Sequence, residues 1–313
     1  MRLYGKEYSL LEDEENTKFL IDGKDGTECK GKSFYKYYGL SQNSVDALTN
    51  MYVYATHPCL LNDPLDCAGG LIKYDSFKCA CKLWDHLYPS VFEICHHDEV
   101  KFLAFTNLAY RTLLYTKLGV LSLSAKWDDL SMWSTYCSHK GFCAEFDIFE
   151  FPFKTRGPFH VNYQEVLTPV SINESSLQIA SIVQTNVKLK CWEHEDEWRL
   201  LIDNPSGFDM EPFGEWATAI KEAMPDYHDR KFRYPLRCLK SVILGMKFFN
   251  GVHEVITDNE CEVMATDILQ DKVLSFLAMS RKPTYLLETN DLSVNRKRIE
   301  IYKIREKTYR IIT

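Results

Sequence analysis

The stretch CWEHEDEWRLLID, Cys191–Asp203, places Glu193, Glu195, Asp196 and Glu197 directly ahead of the apolar run Leu200-Leu201-Ile202. Read as a strand over Glu195–Ile202, its side chains alternate. Glu195, Glu197, Arg199 and Leu201 share one face; Asp196, Trp198, Leu200 and Ile202 share the other. The second face is mostly apolar and predicts contact with a core. The first carries two carboxylates and a guanidinium, separated by about two strand rises at each step. It is either a solvated face whose ion pairs contribute little, or the wall of a cleft. In a cleft, an apolar neighbour raises a carboxylate pKa and the arginine keeps its partner ionised.

Working outward, GFCAEFDIF alternates as well, with Phe142, Ala144, Phe146 and Ile148 against Cys143, Glu145 and Asp147. SFYKYYGL (Ser33–Leu40), MYVYATH (Met51–His57), Val120–Ala125, Ser241–Phe249 and Arg298–Ile304 read as further strands. Helices are expected after Ser41 or Ser44, over Asp98–Lys117 with Gly119 as its stop, and over KWDDLSMWSTYC. Two more are expected, one from a capping box of Ser171 and Glu174 to about Lys190, the other near Glu260–Gln270. Asn62–Cys67 is turn chemistry. Strands and helices alternate without a strict βαβ rhythm, which points to an α+β fold.

The chain has 313 residues, 45% of them hydrophobic, enough for a large core. No linker or repeat divides it. The expectation is a polar N-terminal extension over 1–30 followed by a single domain over 31–313. A net charge of −7 argues against a broad basic surface for duplex nucleic acid. Neither a signal peptide nor a membrane span is legible, so no membrane partner is expected. The eleven cysteines form no framework, and the chain reads as cytoplasmic with reduced thiols. Cys67, Cys79, Cys81, His96 and His97 lack the spacing of a zinc site, and no metal is expected there.

The ordered set of motifs resembles a large bacterial family known chiefly as a domain of unknown function. It comprises Tyr35–Tyr38, the turn Asn62-Asp63-Pro64 with Asp66, the pair Ser122 and Ser124, and Met132-Trp133 with Tyr136. It continues through His139, Gly141, Cys143 and Phe146 to Lys188, Trp192, Glu195, Glu197, Trp198 and Arg199. Leu65 stands where that family usually has Phe. A second resemblance is to ADP-ribosyltransferases, which carry a basic or aromatic residue on a first strand, then a Ser-x-Ser strand, then a Glu-x-Glu strand. Here these positions are Tyr35–Tyr38, Ser122/Ser124 and Glu195/Glu197.

This second resemblance implies a split β-sandwich core with surrounding helices and NAD as substrate. It implies Glu197 as the group that holds the nicotinamide ribose and stabilises its developing positive charge, with Glu195 orienting or deprotonating the acceptor. Ser122 and Ser124 would support the site. Tyr35, Lys36 and Tyr37 would meet the dinucleotide, Trp133 or Tyr136 would stack on nicotinamide, and His139 or Lys36 would meet the pyrophosphate. Lys36 stands where an arginine or histidine is usual, and no glycine-rich dinucleotide fingerprint is present.

The implied activity is that of a toxin or phage-defence effector with an RNA, DNA or protein acceptor and a neutralising antitoxin or regulatory partner. The C-terminal segment Arg281–Arg310, basic with interleaved tyrosines, could meet a nucleic-acid backbone or form a solvated hairpin. Two other functions stay open. One is a magnesium-dependent nuclease using Asp63, Asp66, Glu195 and Glu197. The other is a sensor that binds a nucleotide or phage protein without turnover.

Overall fold

The computed structural model describes residues 1–313 except 14–15, 75, 88–92, 94, 117, 173–176, 204–229, 250–252 and 258. It is a mixed α/β structure built on one large mixed sheet. In chain order the strands are β1 (Arg2–Leu3), β2 (Lys6–Asp13), β3 (Asn16–Ile21), β4 (Phe34–Tyr38), β5 (Tyr52–Tyr54), β6 (Ile72–Tyr74), β7 (Leu118–Ser124), β8 (Phe142–Phe146), β9 (Arg156–His160) and β10 (Asn162–Gln164). They continue as β11 (Val170–Ile172), β12 (Val187–Leu189), β13 (Glu197–Asp203), β14 (Lys231–Arg233), β15 (Leu239–Leu244), β16 (His253–Thr257), β17 (Glu260–Met264), β18 (Thr284–Thr289), β19 (Val294–Arg305) and β20 (Thr308–Ile312). The described α-helices are α1 (Gln42–Thr49), α2 (Phe77–Leu87), α3 (Glu99–Thr116), α4 (Leu130–Cys137), α5 (Leu177–Asn186) and α6 (Ile268–Ser280).

Eleven strands form the main sheet in the order β16-β17-β20-β19-β18-β15-β8-β4-β7-β13-β9. Neighbours run antiparallel except β15 and β18, whose parallel pairing follows from the crossover that contains α6. The alternation of β8 is as expected, and both its faces are covered. Phe142, Ala144 and Phe146 join the main core with Val45 and Leu48 of α1 and Val273 and Leu274 of α6. Cys143 faces the other way and packs with Trp133 and Cys137 of α4.

At one place the sheet is barely joined. β4 pairs with β8 along five residues but with β7 only through Tyr35 and Ser124. Beyond that pair the two strands part. β7 continues against β13 over seven residues, with Ser124 opposite Glu197 and Ser122 opposite Arg199.

The turn after α4 holds this region together. Ser138 and His139 take positive φ (48° and 56°), and the amides of Ser138 and His139 bond back to Ser134 and Trp133, a left-handed C-cap. Gly141 then lets β8 begin against the end of β4. A Cβ there would lie 2.0 Å from the Tyr38 carbonyl oxygen.

Several expectations are corrected. The polar segment 1–30 is no loose extension. Its strands β1, β2 and β3 form a sheet, because one side of each long strand is apolar. Tyr8, Phe19 and Ile21 are buried in a second core with Leu118, Val120, Phe159, Val183 and Leu201. The helix near Glu260–Gln270 is instead β17 followed by α6, which starts after Asp267, whose carboxylate accepts the Leu269 and Gln270 amides. Ser171 lies in β11 and α5 begins at Leu177; Glu174, the other half of the expected capping box, is outside the described residues. The basic C-terminal segment, by contrast, keeps to the hairpin alternative, forming the consecutive antiparallel strands β18, β19 and β20 of the main sheet.

The N-terminal sheet is held by burial of Tyr8, whose hydroxyl also meets Asn186 and Asn162. Tyr8→Ala is expected to lower the unfolding free energy by about 3–5 kcal/mol in urea denaturation. An unchanged midpoint would mean that the segment contributes nothing to the second core.

Candidate functional site

The gap between β4 and β7 opens into a cleft of about 200 Å³. Tyr35, Lys36 and Tyr37 come from β4, Ser122, Leu123 and Ser124 from β7, and Met132 and Tyr136 from α4. The loop after β5 supplies Thr56, Leu60, Leu61, Asn62 and Asp66, and the last wall is Lys188, Glu195 and Glu197.

The acidic stretch folds differently from a uniform strand. Lys190–Glu195 is a 3₁₀ turn, Asp196 sits at φ 45° and β13 begins only at Glu197. The kink throws the Asp196 side chain out to His160, at 2.8 Å. Glu195 and Glu197 nevertheless converge, because one cation holds both. Lys188 Nζ donates to Glu195 Oε2 at 2.6 Å and to Glu197 Oε2 at 3.0 Å. Arg199 takes the other side. Its Nε donates to Glu197 Oε1 at 2.8 Å, and its two terminal nitrogens grip Asp66 in a bidentate pair, one bond at 2.8 Å. The Arg199 guanidinium also donates to the Thr185 carbonyl at 2.8 Å. All five side chains are buried.

The electrostatics follow from this packing. Burial works to raise the Glu197 pKa, but Arg199 and Lys188 more than reverse it and hold the carboxyl at about 2, well below its usual 4.5. Burial likewise opposes the Lys188 and Arg199 cations, and Glu197 is the leading charge that keeps both above their ordinary values. On the opposite rim, burial pulls Lys36 down to about 8, with Glu197 opposing. Its ammonium donates across the gap to the Ser122 carbonyl at 3.1 Å.

Glu195 presents an oxygen to a phenol in the cleft, whereas the neutral group on Glu197 is the Ser122 hydroxyl of β7. Tyr136 donates to Glu195 Oε1 at 2.5 Å, and Asn62 donates to that phenol at 3.1 Å. Burial first, then this bond to Glu195, raises the Tyr136 pKa. Ser124 fixes the backbone behind the pair, donating to the Glu195 carbonyl at 2.6 Å.

Of the residues singled out in the sequence, Tyr35, Lys36, Tyr37, Ser122, Ser124, Tyr136, Glu195 and Glu197 meet at this cleft. Trp133 and His139 do not line it. Trp133 is fully buried and its indole donates to the Trp127 carbonyl; stacking on a ligand is ruled out by its place in the core. His139 belongs to the cap of α4, where its carbonyl accepts the Lys247 amide.

Lys188, Asp66 and Asn62 have no assigned role in the transferase reading of the sequence, yet they shape the cleft. The signal for Lys188 is its place on β12, a short strand seven residues before Glu195.

A divalent ion does not fit the carboxylates. The oxygens of Asp66, Glu195 and Glu197 are already engaged by Lys188, Arg199 and Tyr136; Asp63 Oδ1 accepts the Leu65 amide, which leaves its buried Oδ2 as a single unbonded oxygen. Among the described residues no group of three His, Cys, Asp or Glu side chains could hold a metal ion.

Removing one member of this network strands its partners. Lys188→Met is expected to cost about 3–5 kcal/mol by chemical denaturation, and a loss below about 1 kcal/mol would mean that the charges are not mutually dependent.

No helix among the described residues is long and apolar enough to cross a membrane. No family model, curated protein or solved structure matches this chain.

Proposed function

We propose that the chain is an ADP-ribosyltransferase-like enzyme that cleaves NAD in the β4–β7 cleft. The observation that carries the reading is the meeting, where the sheet parts, of a tyrosine- and lysine-bearing strand, a Ser-x-Ser strand and a Glu-x-Glu segment. These are the three parts the resemblance requires, in the same chain order, around one cleft. A cleft of this size suits a ring and its sugar rather than a whole dinucleotide, so the remainder of NAD would lie along the rim near Lys36.

In that setting the C1′–N bond to nicotinamide breaks and its electron pair leaves with the ring nitrogen. An acceptor oxygen or nitrogen bonds to C1′ and gives up its proton. Positive charge grows on the ribose, and carboxylates fixed beforehand stabilise it as it forms.

Glu197, ionised at neutral pH, has both oxygens committed to Arg199 and Lys188. Glu195 is better placed to touch substrate. A ribose hydroxyl can replace the Tyr136 phenol on Oε1 while Lys188 keeps the other oxygen in place. Glu197 and Lys188 are then positioning residues, and Glu195 the group that meets the sugar and takes the acceptor proton.

The same charge compensation favours a second reading, binding of NAD or a related nucleotide without turnover, because two cations blunt the field of the pair.

Nicotinamide release from NAD, with EDTA present and with cell-extract acceptors, separates the two. The wild type is expected to release nicotinamide and Glu195→Gln to lose at least about a hundredfold when both are assayed folded, below the variant's own lowered melting temperature. Tyr136→Phe is expected to lose less. NAD binding with no release would establish the sensor reading instead, and neither binding nor release would remove both.

Lys36 supplies a pH signature. It is charged below about 8 and neutral above, so NAD affinity is expected to weaken as pH rises through that value. Lys36→Arg, always charged, is expected to hold its affinity to higher pH. A flat profile in the wild type would take Lys36 out of the binding site.

A further inference from the structure

The sheet face that carries Tyr35 and Tyr37 continues beyond the cleft. Register sets Tyr37 beside Cys143, Cys143 beside Ile243, Ile243 beside Tyr285, and Tyr285 beside Arg298. The row begins apolar under α4 and ends in rings and guanidiniums. Arg296 lies over Trp127 at 5.0 Å and over Tyr285 at 4.6 Å, and Arg298 lies over the same tyrosine at 5.6 Å. Trp127 ties this ladder to the cleft. Its carbonyl accepts the Trp133 indole, and the carbonyl of Lys126 just before it accepts the Tyr37 hydroxyl at 2.9 Å.

The two arginines differ. Arg296 is anchored by Glu145 at 3.5 Å, and Glu145 is itself held by the hydroxyls of Ser33 and Ser241. Arg298 is exposed and, among the described residues, has no carboxylate in ion-pair range. The basic character is local. Nine basic and four acidic residues lie between Arg281 and Arg310, in a chain whose net charge is −7.

An alternation of rings and guanidiniums suits a polymer that alternates planar bases with phosphates. The exposed Arg298 supplies a fork for a phosphate, and the half-buried Trp127 and Tyr285 beside the two arginines are the rings for stacking. A duplex hides its base faces and an acidic peptide has none to offer, whereas a single strand exposes both features.

We propose that this ladder docks a single-stranded nucleic acid beside the cleft. Its use as the acceptor rests on the transferase reading; the docking itself does not.

The test is fluorescence anisotropy of short labelled single-stranded RNA and DNA on the full chain, without NAD, at two salt concentrations. A duplex of the same sequence and polyglutamate serve as competitors. Single strands are expected to bind at least about tenfold more tightly than either competitor. Arg298→Glu, at an exposed position, is expected to weaken binding about tenfold and to lower the salt slope by about 0.7 for each phosphate that the side chain no longer neutralises. Tyr285→Ala is expected to weaken binding with the slope unchanged.

Absence of single-strand binding, equal binding of duplex or polyglutamate, or an unaltered Arg298→Glu would each overturn the proposal. Nicotinamide release by the same preparation keeps the two ideas apart. Binding without release leaves the ladder standing and removes the transferase, and release without binding does the reverse.

Discussion

The structure turns on the contact of Lys188 with two glutamates that a kinked backbone brings to it. Glu195 ends a 3₁₀ turn and Glu197 starts β13, with a left-handed residue between them. Nothing in the backbone alone would aim both side chains at one point. The ammonium, 2.6 Å from one carboxylate and 3.0 Å from the other, does so. Arg199 extends the network to Asp66 and so fastens the turn after β5, more than a hundred residues away in sequence, to β13. Three carboxylates and two cations are buried together, and Glu197, Lys188 and Arg199 sustain one another's charged state.

This constraint explains the shape of the cleft. Beyond Ser124 the edge of β7 away from β13 bonds to Thr56 at Val120 rather than to β4, and the β13 edge is fixed where Glu197 is locked to Lys188. β12, which carries Lys188, is itself paired with β10, and Val187 beside it lies in the second core with Tyr8 and Phe19. The N-terminal sheet thus supports the cleft from behind, although none of its residues lines it.

The strands that decide the fold are legible in the sequence because their alternation survives burial on both faces. In β8 and β13 one set of side chains enters the main core, and the other set meets α4 or the charge network. The site residues on β4, β7 and β13 are legible for the same reason, as polar groups in strands otherwise made for a core. What stays hidden depends on long-range contacts. The polar N-terminus conceals an apolar row that acquires a partner only when Leu118, Val120 and Leu201 are in place. Asp196 reads as one more strand residue until His160 captures it. The stretch Glu260–Gln270 reads as one helix, but β17 pairs with both β16 and β20, and the true cap is Asp267. Trp133 reads as a ligand platform because an aromatic on a helix carries no mark of which side is covered.

The charge network is not there for stability as such. Buried ion pairs lose so much hydration that well-packed apolar side chains of similar size are often as stable or more so. What charges provide and apolar groups do not is a fixed electrostatic direction. Lys188 holds one oxygen of Glu195, so the other can exchange a phenol for a different hydroxyl without the carboxylate moving. Arg199 and Lys188 keep Glu197 ionised next to it. A site assembled this way has met the cost of organising its dipoles during folding, before any ligand arrives. That is the arrangement expected where charge must be stabilised quickly, and under the proposed transferase reading Glu195, rather than the more deeply committed Glu197, is the point of contact.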